Sequence, residues 1–146
     1  MKPDPARLDP AVYPLQVIVP SRFRDLDTLG HINNVAIASF YEEGRAAVNR
    51  AAFPIEFRRE HSMRMLIADV HIAYLGEAHY PGDLDVRAAI SHIGRTSYTI
   101  ALALFQNGVC VGTCETILVN TDGEKPAEIP TAGRQALKAL MLKTAR

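Results

Sequence analysis

The stretch from Arg24 to Ala52 constrains the fold more than any other, because the sequence changes period inside it. Before it, Leu15, Val17 and Val19 alternate with Gln16, Ile18 and Pro20, a strand pattern that the apolar Ile18 weakens. After it, Ile37, Phe40, Tyr41, Gly44, Ala47, Val48 and Ala51 recur at spacings of three and four, which is one apolar face of a helix. Pro54 cannot continue a helix and restricts the residue before it, so the helix is expected over about 34–52. Its small residues, Gly44, Ala47 and Ala51, would let the backbone lie close to a broad surface such as a curved sheet.

Between the two periods runs Arg24-Asp25-Leu26-Asp27-Thr28-Leu29-Gly30-His31-Ile32-Asn33-Asn34. A loop that only turned would not need two carboxylates, a glycine, a histidine and two asparagines. Asn33 or Asn34 can accept a hydrogen bond from the first free N–H groups as N-cap. The remaining N–H groups carry the positive end of the helix dipole and can hold an anion or a polarised carbonyl. Asp27, His31 and a helix N-terminus are therefore expected to converge. Such a set could serve acyl chemistry, with a carboxylate to attack or to activate water and N–H donors for the developing oxyanion. The same residues also suit a capped turn with solvated acids, and the pattern alone does not separate the two.

The rest of the chain sets the frame. A chain of 146 residues is large enough for one core without staples. Sixteen basic and sixteen acidic residues cancel, which argues against a nucleic-acid surface. Residues 1–13 hold three prolines and no apolar run, so they read as a tail without a signal peptide, ahead of a single domain over 14–146. No apolar run of about 18 residues is present, so no membrane span is expected. Cys110 and Cys114 lie at even spacing in one strand-like run and are expected to share a face. A disulfide across four extended residues would span roughly 13 Å, beyond the ~7 Å limit. Free, reduced, buried thiols fit a cytoplasmic setting, and no ligand spacing suggests a metal.

A first strand is expected over 14–23, and a mixed-charge connection over 54–62. Four strand patterns follow. Leu66, Ala68, Val70, Ile72 and Tyr74 share a face; Leu84, Val86, Ala88 and Ile90 oppose polar neighbours; Tyr98, Ile100, Leu102 and Leu104 form a third; Val109, Val111, Ile117 and Val119 a fourth, interrupted by Thr113 and Glu115. Period two with polar opposite faces argues antiparallel strands. Pro81-Gly82, Gly94-Arg95 and Asn107-Gly108 supply the turns, the last a strong hairpin signal. A terminal helix is expected over about 131–144. The order strand, helix, four strands, helix is α+β, with a five-stranded antiparallel sheet against one long helix.

Asp25-x-Asp27-x-x-Gly30-His31-x-Asn33-Asn34, followed by Phe40-Tyr41-Glu42-Glu43-Gly44-Arg45, resembles the signature of hotdog-fold acyl-CoA thioesterases of the 4-hydroxybenzoyl-CoA thioesterase type. The resemblance runs from about residue 14 to 142. It implies a sheet wrapped around the long helix, no cofactor, an acyl-CoA substrate, and self-association into dimers or tetramers with active sites at the dimer interface. It makes Asp27 the nucleophile or general base and places the carbonyl-polarising amide at Asn34, with Val35, Gly30 and Asn33 around it. Asp25 reads as a structural loop acid. His31 would touch the substrate carbonyl, assist the leaving thiolate, or brace the loop; His61, His71, His79 and His92 read as surface or partly buried residues. Glu42 is the rival carboxylate, since a second branch of these enzymes resembles this one but carries its acid on the helix. Glu42, Arg45 and Asn49 share one side of the helix, so Glu42 reads instead as a partner of Arg45 at a subunit contact. Ile37, where the family often has tyrosine, and Tyr41 suggest an apolar acyl pocket. Arg95, Thr96 and Ser97 resemble the family's Gly-Arg-Ser strand start and could meet the phosphates of CoA. A hotdog hydratase or dehydratase and a non-catalytic acyl-binding module are the alternatives.

Overall fold

The structure, a computed structural model, describes residues 2–143, so the last residues of the expected domain and terminal helix lie outside it. Five strands form one antiparallel sheet: β1 (Leu15–Pro20), β2 (Arg64–Tyr74), β3 (Asp83–Ile93), β4 (Ser97–Gln106) and β5 (Val109–Thr121), in the order β1-β3-β4-β5-β2. The long helix α1 (Asn34–Ala52) lies across the concave face over β1, β3 and β4. The α+β expectation and the helix bounds agree with this architecture. Asn107 and Gly108 both have positive φ (52° and 78°), the conformation that the two-residue β4–β5 hairpin demands.

The core lies between α1 and the inner face of the sheet. Phe40, Tyr41 and Val48 meet Leu84, Val86, Ile90, Ile100, Leu102 and Leu104, all essentially inaccessible to solvent. Gly44 is where helix and sheet come closest. A Cβ there would lie 2.5 Å from Leu102 Cδ2 and 2.8 Å from Val86 Cγ1, so only glycine permits this approach. The helix-propensity cost of about 1 kcal/mol is offset by that contact. The small-residue face is narrower than expected, however, since Ala51 is exposed and Arg45 is buried instead.

Two β-bulges overturn two face assignments. In β2 the register shifts between Ile67 and Asp69, so Ala68 is an extra residue. Leu66 pairs with Val119 on the outer face, whereas Val70, Ile72 and Tyr74 pair with Thr116, Cys114 and Gly112 on the inner face. The residues Leu66 to Tyr74 therefore do not share one face. In β5 the register shifts at Val111, between Cys110 and Gly112. Cys114 consequently joins the main core while Cys110 packs in a smaller cluster on the outer face, so the two thiols, both free, do not share a face. One extra residue in a period of two reverses every side chain beyond it, and sequence alternation carries no mark of where that residue sits.

The expected connection over 54–62 contains a short helix, α2 (Ile55–Glu60). The terminal helix α3 is shorter than expected, Thr131–Lys138. Beyond it the chain extends: Ile90 N–H donates to Leu140 O (2.8 Å) and Leu142 N–H to Ile90 O (2.9 Å), which occupies the edge of β3 that β1 leaves free past Leu15. Near the N-terminus, Val12 and Tyr13 cover Ala89, Ala101, Ala103 and Phe105 on the outer face.

Candidate active site

The motif loop closes on itself through the bridge Leu26–Ile32. Asp27 N–H donates to His31 O (2.8 Å), and Gly30, at φ 81°, donates to Asp27 O (3.2 Å). A side chain at Gly30 would be strained by that φ even though nothing lies within 4 Å. Asp27 Oδ1 accepts from the N–H groups of Leu29 (2.9 Å) and His31 (3.1 Å). Its other oxygen has no protein donor among the described residues, and the residue is exposed. One oxygen is thus tethered and the other is available.

Asp25, two residues earlier, is treated in the opposite way. It is 3% exposed and gripped by Arg22: Oδ1 accepts from Nη2 (2.9 Å), and Oδ2 from the backbone N–H (2.8 Å) and Nε (3.3 Å). Burial pushes this carboxyl up, but the hydrogen bonds and charge of Arg22 outweigh it and hold the group below the ordinary carboxylate range. Asp25 O also accepts from Asn33 N–H (2.8 Å), which seats the helix start against the loop.

At that start Asn33 is the N-cap, its Oδ1 accepting from Ala36 N–H (2.8 Å). Ile37 N–H is bound to Asn33 O (3.1 Å). The N–H groups of Asn34 and Val35 have no acceptor among the described residues, and both residues are exposed. These are the orphan donors of the helix terminus. Asp27, Gly30, His31 and this terminus therefore share one closed loop. Ile37 and Tyr41 lie one and two turns further in and are buried in the core. The Tyr41 hydroxyl is wholly enclosed, has no hydrogen-bond partner, and occupies space that a Cβ on Gly112 would take (2.7 Å). Burial, with the nearby Cys114 and Cys110, drives its ionisation far above the ordinary phenol range.

Two residues of the loop after β2 adjoin the site without any signal in the motif. Ile32 N–H donates to Ala78 O (3.0 Å), which brings this loop against the motif. Glu77 Oε2 then lies 3.3 Å from His31 Nε2, and His79 meets the His31 ring edge-on at 6.0 Å between centroids. The buried Gln106 fixes that loop, accepting from His79 N–H and donating to His79 O, both at 2.8 Å. Only the spatial neighbourhood of strand ends, invisible in the motif, could have pointed to Glu77.

Glu42 and Arg95-Thr96-Ser97 stand elsewhere. Glu42 is exposed on a groove between α1 and the start of β2, with Arg45. No ion pair joins those two among the described residues; Arg45 Nη1 donates to Thr116 Oγ1 instead (3.3 Å). The motif loop is joined to the start of β3, where Ser21 N–H donates to Gly82 O (3.1 Å), but Arg95-Thr96-Ser97 follow its far end. At ~3.3 Å per residue that is roughly 30 Å away within one chain. Arg95 O is engaged by Ile129 N–H (2.9 Å) and Arg134 Nη2 (3.2 Å). No group of three His, Cys, Asp or Glu among the described residues is placed to hold a metal. No helix there is long and apolar enough to cross a membrane.

Residues 21–137 match the model of the thioesterase-like superfamily. The chain belongs to that family. A predicted thioesterase from Bacillus stearothermophilus is 28% identical, with a TM-score of 0.80, over 89% of this chain and 98% of that one. A Thermus thermophilus thioesterase, solved as a complex with coenzyme A and Zn, is 29% identical with a TM-score of 0.79, over 88% and 95%. A probable thioesterase from Escherichia coli, at 18% identity and a TM-score of 0.76 over 86% and 98%, shares the fold. No curated protein matches the chain. The hotdog thioesterase expectation is met, and the chain is a thioester hydrolase.

Proposed function

We propose that this thioesterase hydrolyses acyl-CoA or acyl-carrier thioesters with Asp27 as the reacting carboxylate. The observation that carries the reading is the division of labour at Asp27: Oδ1 is held by two backbone N–H groups while Oδ2 has no donor, in a closed loop that leads directly into a helix whose first two N–H groups are open. The thioester carbonyl would sit on the amides of Asn34 and Val35, which stabilise the oxyanion as it forms. Asp27 either attacks the carbonyl carbon itself or takes a proton from the water that does. In either case the C–S bond breaks, the thiolate leaves and takes up a proton, and the free acid remains after hydrolysis. His31, tied to Asp27 through its backbone and with its ring 3.3 Å from Glu77, would assist proton transfer to the leaving thiolate. The Thermus thermophilus relative bound to coenzyme A supports a CoA thiol as leaving group.

The active enzyme in this reading is a homodimer or higher homo-oligomer. Arg95, Thr96 and Ser97 cannot reach the Asp27 loop of their own chain, so any phosphate contact they make serves the site of a second copy. The test is thiol release from acetyl-, hexanoyl-, palmitoyl- and benzoyl-CoA against a protein-free blank. Release from at least one ester supports hydrolysis and reads the acyl preference. Binding of every ester without release favours the acyl-binding module, and hydration of an enoyl ester without thiol release favours the hydratase.

A further inference from the structure

Three tyrosines are buried among the described residues, and two of them use their hydroxyls. Tyr98 donates to Asn49 Oδ1 (2.6 Å) and Tyr13 to Arg7 O (2.8 Å). Tyr41 is fully enclosed, and its hydroxyl has no hydrogen-bond partner. A phenylalanine there would fill the same space without the cost of a desolvated, unbonded hydroxyl. The sheet nevertheless makes room for this group. A Cβ on Gly112 would come 2.7 Å from the Tyr41 hydroxyl and 3.0 Å from Ala73 O. Gly112 is not among the glycines with positive φ, so it is this close packing, the hydroxyl first, that requires glycine. The hydroxyl ionises far above the ordinary phenol range, because burial disfavours the phenolate, and it stays a neutral donor and acceptor.

This hydroxyl stands at the end of the sheet that adjoins the motif loop. The carbonyl of Val111, next to Gly112, accepts from the N–H groups of Leu75 (3.0 Å) and Gly76 (3.1 Å). The same loop continues to Glu77, 3.3 Å from the His31 ring, and to Ala78, whose carbonyl accepts from Ile32 N–H (3.0 Å). Along α1, Tyr41 follows Val35 by less than two turns, about 9 Å of helix rise. Long helical side chains lean back towards the N-terminus, which shortens the distance to the open amides of Asn34 and Val35. Ile37, one turn before Tyr41 and also buried, lines the way with aliphatic surface. On the β2 side the cover is incomplete: α1 lies over β1, β3 and β4, and Tyr74, paired with Gly112 on the inner face, is 53% exposed. An acyl group whose carbonyl rests on the helix amides therefore has an apolar path of a few carbons towards one unused hydroxyl.

We propose that the Tyr41 hydroxyl determines specificity: it hydrogen-bonds a keto or hydroxyl oxygen carried on the acyl chain several carbons beyond the thioester carbonyl, so that oxygen-bearing chains are preferred to plain alkyl ones. The inference rests on the acyl-thioester reading above and adds the feature of the acyl group that the pocket reads. The hydroxyl is enclosed in the free chain, so the acyl group reaches it from the β2 side, where α1 gives no cover. The test is kcat/KM for thiol release by wild type and Tyr41→Phe. The probes are butanoyl-, hexanoyl- and octanoyl-CoA, each beside its analogue with a terminal hydroxyl and its analogue with a keto group on the penultimate carbon. Wild type should favour an oxygen-bearing ester over the plain chain of the same length, and Tyr41→Phe should lower that ratio at least tenfold. The melting temperature of the variant should stay level or rise, since only an unbonded hydroxyl is removed. Absence of any such preference in wild type, or a ratio unchanged in Tyr41→Phe, overturns the proposal and leaves hydrolysis standing. A lower melting temperature with an unchanged ratio also overturns it and assigns the hydroxyl to an internal water. No release from any ester by wild type removes the acyl-thioester reading and the proposal with it.

Discussion

The sheet has two halves that differ in completeness. Under α1, strands β3 and β4 carry inner-face residues that are almost wholly enclosed, from Leu84 and Val86 to Ile100, Leu102 and Leu104, and those of β1 are half-buried. Beyond α1, β2 carries apolar residues of the same kind that stay open, and its outer edge is unpaired. The first half is finished by its own chain; the second is built as if something else completes it. The loop proposed to hold the reacting carboxylate lies at the seam, with Asp27 and the helix N-terminus from one side and the loop after β2, carrying Glu77, from the other.

Substitutions can sharpen that contrast. Leu102→Ala, in the closed half, should cost about 2–5 kcal/mol in urea unfolding, since it removes buried methyls and leaves a cavity. Gly44→Ala should cost about 1–3 kcal/mol despite its better helix propensity, because the added Cβ collides with Leu102 and Val86. Asp25 is a smaller and pH-dependent case. Its carboxyl is held below the unfolded value, so its contribution is fully present above about pH 4 and is lost as pH falls through the folded value. Asp25→Asn should remove that part of the acid dependence of unfolding, which melting curves between pH 2 and 6 will show. Val70→Lys, in the open half, should change the stability of the isolated chain by no more than about 0.5 kcal/mol. It should nevertheless abolish association in sedimentation. A large loss of monomer stability there would mean that the open half is closed by its own chain after all.

The contrast also explains what the sequence could tell. The capped helix start, Gly44 and the Asn107-Gly108 hairpin were legible because each rests on local chemistry within a few residues. The faces of β2 and β5 were not, because Ala68 and Val111 each add one residue to a strand whose apolar content hides the slip. The structural character of Asp25 could be read from the motif, as could the place of Asp27 in a loop that runs into a capped helix start. Glu77 could not, because it reaches His31 only through the pairing of distant strands. The pattern offers Arg45 as a partner of Glu42 at a subunit contact and carries no sign of its burial, which follows from how deeply Gly44 lets the helix settle on the sheet.

The most direct test is thiol release by wild type, Asp27→Asn and Glu42→Gln, each followed from nanomolar to high micromolar protein. The account predicts that Asp27→Asn loses roughly 10²–10⁴-fold in kcat at every concentration, the range for removing a reacting acid–base group. Glu42→Gln should keep most of its turnover at every concentration, since Glu42 is exposed in a groove away from the Asp27 loop. A Glu42→Gln variant inactive at all concentrations, beside an active Asp27→Asn, would contradict the account and move the reaction to the helix.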